Sequence, residues 1–371
     1  MEPAVQPPAD PLPIQPSAPE PPAVRNYKKL FYLLLVLVIM LAVAGASYHF
    51  LKGANKLHIK LSPADGSKTP ALPGSTNQTV QGLQLMSSKN YGNKYANGVL
   101  PVGDNKYITS GAQKGYVFAC DTYAQNLKTS SGGAGTRGPW FIGTTQYDLN
   151  KKAHVRGSVM WNSEFSNQIS GGIRTVITND LPTHQTGVFP ISAADPAYAY
   201  DKNPNRIVGQ VFTYNLTAQP SYGSPQCIGG QVGIMLTGVA LFSGFDAGGR
   251  DAGAWEVQDS CSGHPEKTGT YHYHTLSSCI KDISVKTVIG FALDGFPITG
   301  PKVGDNNILT TSDLDECHGL TSQVVLDGKN TTSYHYVMTQ DFPYSVSCYR
   351  DTPTQPPGQQ SPADRQTHPG A

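Results

Sequence analysis

The longest apolar run lies near the start of the chain. From Leu30 to about Leu51 the sequence reads LFYLLLVLVIMLAVAGASYHFL, almost without a polar side chain. At about 1.5 Å rise per residue that length matches a bilayer core of roughly 30 Å and predicts one transmembrane helix. Ahead of it, residues 1–26 are dominated by proline and predict a disordered tail. Behind it, residues 53–80 are rich in Ser, Pro, Gly and Lys and read as a linker. From residue 83 to residue 350 the apolar positions no longer form a continuous run. They fall in short β-prone segments between turn signals, among them GYVFAC, GPWFIGTTQY, RIVGQVFTYNLTA, QVGIMLTGVALFSG and VKTVIGFALDGFPITG. No long stretch has the helical apolar period. The pattern predicts an all-β domain over 83–350, sandwich or barrel-like, with a disordered tail at 351–371.

Charge changes this picture little. A formal net charge of +1 with 14% charged residues gives no basic footprint for nucleic acid. Arg25, Lys28 and Lys29 precede the apolar run and Lys52, Lys56 and Lys60 follow it, so the positive-inside signal is weak. The cysteines orient the chain better. All six (Cys120, Cys227, Cys261, Cys279, Cys317 and Cys348) lie beyond the apolar run, an even number on one side, as expected for a disulfide-stapled ectodomain. The N-terminus is then cytoplasmic and the β domain extracytoplasmic on a single-pass anchor. Ala44-Gly45-Ala46 resembles a signal-peptide cleavage site, but the long preceding tail favours an uncleaved anchor. Asn77, Asn215 and Asn330 open glycosylation sequons.

Candidate chemistry gathers around GTYHYH, residues 269–274. Side chains alternate along a strand, so His272 and His274 share one face and Tyr271 and Tyr273 the other. Two imidazoles so placed can hold one Zn²⁺ or Cu²⁺ ion. His264, His335, His318, Asp259 and Asp294 are the candidates to complete the shell, His318 the weakest. Asp294 ends an apolar strand at Asp-Gly, where it can face a pocket or bond its own turn. The order Asp-x-Cys-x-Gly, Tyr-His-Tyr, Cys occurs twice, from Asp259 to Cys279 and from Asp315 to Cys348. This echo suggests pairing Cys261 with Cys279 and Cys317 with Cys348, which leaves Cys120 for Cys227. Asp313, Asp315 and Glu316 cluster without the spacing of a calcium loop.

DSCSGHPEKTGTYHYH, IGFALDGFPITGP, and LDECHG followed by YHY and DFPYSVSC, taken in that order, resemble the YHYH-domain family of exported bacterial and eukaryotic proteins. The resemblance runs from about Gly229 to Arg350. It implies that the family pattern falls on Asp259, Cys261, Gly263, His264, Tyr271, His272, Tyr273, His274, Asp294, Gly295, Asp315, Cys317, His335 and Cys348. Val337 departs from it, where members can carry a second histidine in the downstream element. The resemblance implies no particular activity.

Two functions are open at this level. The first is an extracytoplasmic Cu or Zn site built from His264, His272, His274, His335 and Asp294. An open coordination position could then activate water, with Asp294 or Glu256 as general base, although no residue pattern selects a reaction. The second is a non-catalytic surface module that binds glycan or protein, its Tyr and His motifs being structural.

Overall fold

The structure, a computed structural model, describes residues 83–129 and 135–357. The expected proline-rich tail, transmembrane anchor and linker lie outside the described residues, as do residues 358–371. Among the described residues no helix is long and apolar enough to cross a membrane.

The strands are short, as the turn-rich sequence predicts. The first eight are β1 (Val99–Pro101), β2 (Tyr107–Ile108), β3 (Val117–Phe118), β4 (Phe141–Ile142), β5 (Gln146–Asp148), β6 (Phe165–Ser170), β7 (Ile173–Thr178) and β8 (Phe212–Thr217). They form three small sheets, ordered β1-β5-β4, β2-β3 and β6-β7-β8. Then come β9 (Gln231–Met235), β10 (Ala240–Phe242), β11 (Gly263–Pro265), β12 (Tyr271–Tyr273), β13 (Val288–Ala292), β14 (Pro297–Thr299), β15 (Lys302–Gly304), β16 (Asn307–Ile308), β17 (Gly319–Leu326) and β18 (Lys329–Val337). Eight of these build one wide mixed sheet in the order β11-β12-β10-β9-β13-β14-β18-β17, with β15 and β16 pairing separately. The β domain is thus one wide sheet with smaller ones around it, and the sheet order ends on two hairpins rather than closing into a barrel.

The echo seen in the sequence is an echo in register. On β11 and β12, Gly263 faces Tyr273, His264 faces His272 and Pro265 faces Tyr271. On β17 and β18, Gly319 faces Tyr336, Leu320 faces His335 and Thr321 faces Tyr334. Each Tyr-His-Tyr strand also pairs in parallel with an inner strand: β12 with β10 (Leu241 opposite Tyr273) and β18 with β14 (Ile298 opposite Tyr336). Ser262 and His318, at matching places before each glycine, both have positive φ, 63° and 72°. The Asp two residues ahead of each cysteine ties that loop down, Asp259 Oδ1 accepting Cys261 N–H and Asp315 Oδ1 accepting Cys317 N–H at 2.9 and 3.0 Å.

Disulfides join Cys120 to Cys227, Cys261 to Cys279 and Cys317 to Cys348. Residues upstream of the sheet, for which the sequence shows no motif, share its core: Val117, Leu127, Val176 and Leu216 pack in one buried cluster with Val232, Ile234 and Phe291. Two short helices were not expected from the apolar pattern. In α1 (Asp121–Thr129) Ala124 and Leu127, three residues apart, are the buried positions, with Asp121 in the first turn and Lys128 in the last complementing the helix dipole. The other, α2 (Ala252–Trp255), is capped by Asp251 and ends at Glu256, whose N–H closes on the Ala252 carbonyl. Residues at the start of the expected C-terminal tail are tied in, Thr354 N–H donating to the Leu293 carbonyl at 2.9 Å.

Candidate metal centre

His272 on β12 and His274 just past its end leave the strand on one face, as the alternation requires. The paired strand β11 brings His264 directly opposite His272. All three rings are buried, 3–4% exposed. Where α2 ends, the chain delivers Glu256 to the same place: its Oε2 lies 3.3 Å from His264 Nε2 and 3.2 Å from His274 Nε2.

Backbone carbonyls fix the tautomers. His272 Nδ1–H donates to the Thr270 carbonyl at 3.1 Å, and His274 Nδ1–H to the Ser243 carbonyl at 2.5 Å. In the neutral rings both Nε2 atoms therefore carry lone pairs, and they face each other at 3.1 Å. Two lone pairs so close repel unless a proton or a cation lies between them. Neither ring nitrogen of His264 nor Glu256 Oε2 makes an aligned hydrogen bond, and a buried polar atom in that state costs about 1–3 kcal/mol. Phe242 stacks on His272 with ring centroids 4.1 Å apart and holds its plane.

Electrostatics separates the roles. Burial, and then the neighbouring His264 and His274 rings, hold the His272 pKa well below the usual histidine range, so His272 is neutral. Burial opposes the charge of Glu256, but His264 and His274 outweigh it and keep the carboxyl well below its usual range. Burial likewise disfavours a charged His264, and Glu256 beside it raises the pKa nonetheless. The cluster therefore offers one carboxylate and, at His272, a neutral imidazole nitrogen, while a metal at His264 would displace the proton that Glu256 favours there. Nitrogen and oxygen donors of this kind suit Zn²⁺ or Cu²⁺. It lines a cleft of about 550 Å³ whose other walls include Tyr123, Asn126, Asn203, Asn205 and Lys267.

The remaining candidates are elsewhere. His335 sits on β18, five strand spacings from β12 in the sheet order, roughly 24 Å at about 4.8 Å per strand. Its Nδ1 pairs with Thr299 Oγ1 at 2.9 Å and its Nε2 with Ser322 Oγ at 2.8 Å, so neither nitrogen is free. Asp294 is also committed: it accepts from Tyr336 O–H at 2.6 Å and from the N–H groups of Arg350, Asp351 and its own turn residue Phe296. Of the five residues expected around a metal, the structure brings three histidines together, and Glu256, which the sequence suggests only as a base, lies beside them. His318 bonds Thr339 Oγ1 at 3.0 Å, away from the cluster. The tyrosines serve the opposite face of each hairpin, Tyr271 O–H donating to Asp259 at 2.9 Å and Tyr334 O–H to Asp315 at 3.1 Å. Tyr273 O–H contacts His184 and Thr237. His184 also lies beside Cys261 and Cys279, but their disulfide leaves no thiolate to bind a metal.

Residues 213–308 match the family model for YHYH proteins. No curated protein and no solved structure matches the chain. The YHYH match begins in β8, earlier than the resemblance read from the sequence, and ends with β16. It encloses Glu256, His264, His272, His274 and Asp294, and stops short of Asp315, Cys317, His335 and Cys348. The histidine cluster lies wholly within the YHYH segment.

Proposed function

We propose that this protein binds one divalent transition-metal ion, Zn²⁺ or Cu²⁺, through His264, His272 and His274 with Glu256 as the fourth donor. One observation carries the reading. A tetrahedral shell with bonds of about 2.05 Å sets its donor atoms about 3.3 Å apart. Three donor separations in the cluster, His272 to His274, His274 to Glu256 and Glu256 to His264, are 3.1, 3.2 and 3.3 Å. The carbonyl bonds at His272 Nδ1 and His274 Nδ1 are the outer contacts that fix a ligating imidazole. His264, with no aligned hydrogen bond at either ring nitrogen, has both uncommitted.

The setting belongs to the same proposal: a single-pass anchor over residues 30–51, a cytoplasmic N-terminus and an extracytoplasmic β domain. Three disulfides support an oxidising compartment. A second reading, a surface module for a glycan or protein, draws support from the same cleft, whose tyrosine and asparagine walls suit a polar ligand. The reading assigns binding, not a reaction.

The test is metal content of the full-length, disulfide-intact protein after loading with Zn²⁺ or Cu²⁺ and desalting. One equivalent of metal, absent from the His272→Ala/His274→Ala variant, is the expected result. A folded wild-type protein that retains no metal would overturn the proposal and leave the cluster as a proton-bridged structural network.

A further inference from the structure

The wide sheet is built on an approximate two-fold. At its centre β9 and β13 pair with Met235 opposite Gly290, Ile234 opposite Phe291 and Gly233 opposite Ala292. Outward from that seam, Leu241 faces Gly233 on one side and Ile298 faces Gly290 on the other. Next come the parallel pairings of β12 and β18, and then the two antiparallel hairpins in matching register. The tyrosine contacts follow the same equivalence. Tyr271 and Tyr334 each bond the Asp of their own Asp-x-Cys-x-Gly loop. Tyr273 reaches Thr237 while Tyr336 reaches Asp294, and Thr237 and Asp294 both precede a glycine of positive φ, Gly238 and Gly295.

We infer that β9–β12 and β13–β18 are two copies of one metal-binding unit, and that the second copy has lost its divalent-metal site and filled the space with apolar side chains. The register fixes the strand equivalences, and the offset from the loop Asp fixes that of Glu256. His272 corresponds to His335, His264 to Leu320, His274 to Val337 and Phe242 to Thr299; Glu256, three residues before its Asp, corresponds to Ser312. One ligand of four survives, and the residue in place of Phe242 has become its hydrogen-bond partner, Thr299. Leu320 and Val337, at the two lost histidine positions, belong to a closed apolar cluster with Val285, Leu309 and Leu314. Where the first copy opens into a cleft, the second has a small core.

The inference rests on the proposed metal site, and its test separates the two. In the forward direction, Ser312→Glu/Leu320→His/Val337→His rebuilds the second ligand set around His335, and metal content is expected to rise from one to two equivalents per chain. A folded variant that still holds one equivalent overturns the inference. Wild type holding none overturns the metal reading instead. Should the forward variant not fold, the reverse transplant decides. Phe242→Thr/Glu256→Ser/His264→Leu/His274→Val gives the first copy the residues of the second, and its melting temperature in chelator can be compared with that of His264→Ala/His274→Ala. The transplant is expected to melt several degrees higher, because its residues are those with which the unit folds without metal. A transplant that melts no higher than the alanine variant overturns the inference, whether or not the wild type loads metal.

Discussion

His335 shows what the central histidine of this hairpin does without ligands around it: both nitrogens are occupied by hydroxyls and the ring is sealed in the sheet. Replacing it with asparagine should leave metal content unchanged, which elemental analysis checks directly, while the lost hydrogen bonds cost about 1–3 kcal/mol of stability. Burial holds the His335 pKa down to about 4, below the unfolded value of about 6.5. The folded chain therefore refuses a proton that the unfolded chain accepts. That contribution to stability is complete above about pH 6.5 and is lost as pH falls toward 4. The melting-temperature gap between wild type and His335→Asn, in chelator, should accordingly narrow from pH 7 to pH 4.5. A gap that does not change with pH would mean that the ring is not held neutral. At this scale the sequence was informative where strand alternation applies: it placed His272 and His274 on one face. It could not separate His335 from them, because residue type carries no strand order. Nor could it show Glu256 as a donor, since only the turn that ends α2 brings this carboxylate beside His264.

The hairpin carrying the site owes its register to few paired residues. β11 and β12 are three residues each, and the Cys261–Cys279 disulfide brackets them across a sequence separation of 18. Removing both sulfurs with Cys261→Ser/Cys279→Ser should cost about 3 kcal/mol, as a loop of that length predicts, and should weaken metal retention because His264 and His272 face each other only in this register. Chemical denaturation and metal retention after desalting, measured together, check both parts; unchanged retention would show that the strands hold their pairing unaided. The short β segments and the repeated Asp-x-Cys-x-Gly loops were legible in the chain because turn residues and cysteines mark them locally. The parallel pairings of β10 with β12 and of β14 with β18 were not, because apolar period specifies which face is buried and says nothing of the neighbouring strand. α1 carries no such local mark for a related reason: with two buried positions in nine residues its apolar stripe is too short to stand out.

For the whole molecule, the approximate two-fold places the candidate metal site at one end of the sheet and its filled counterpart at the other. Hints of this lay in the sequence as two short motifs, but the symmetry becomes plain only through the β9–β13 pairing, which no sequence pattern specifies. That seam is also narrow. Gly233 and Gly290 sit in it, and a Cβ on either would come within 2.6 or 2.8 Å of a backbone carbonyl on the opposing strand. Each half is contiguous in sequence, so its internal pairings close over shorter loops than the one spanned by the seam. There the halves meet along three residue pairs flanked by the Leu236–Ile289 and Leu293–Val232 backbone hydrogen bonds. The consequence is kinetic. Each half should acquire amide protection as a unit during refolding, with the seam closing last, and pulsed hydrogen exchange should resolve the amides of Ile234 and Phe291 as a later class than those of the flanking hairpins. A single class throughout would mean that the sheet forms all at once.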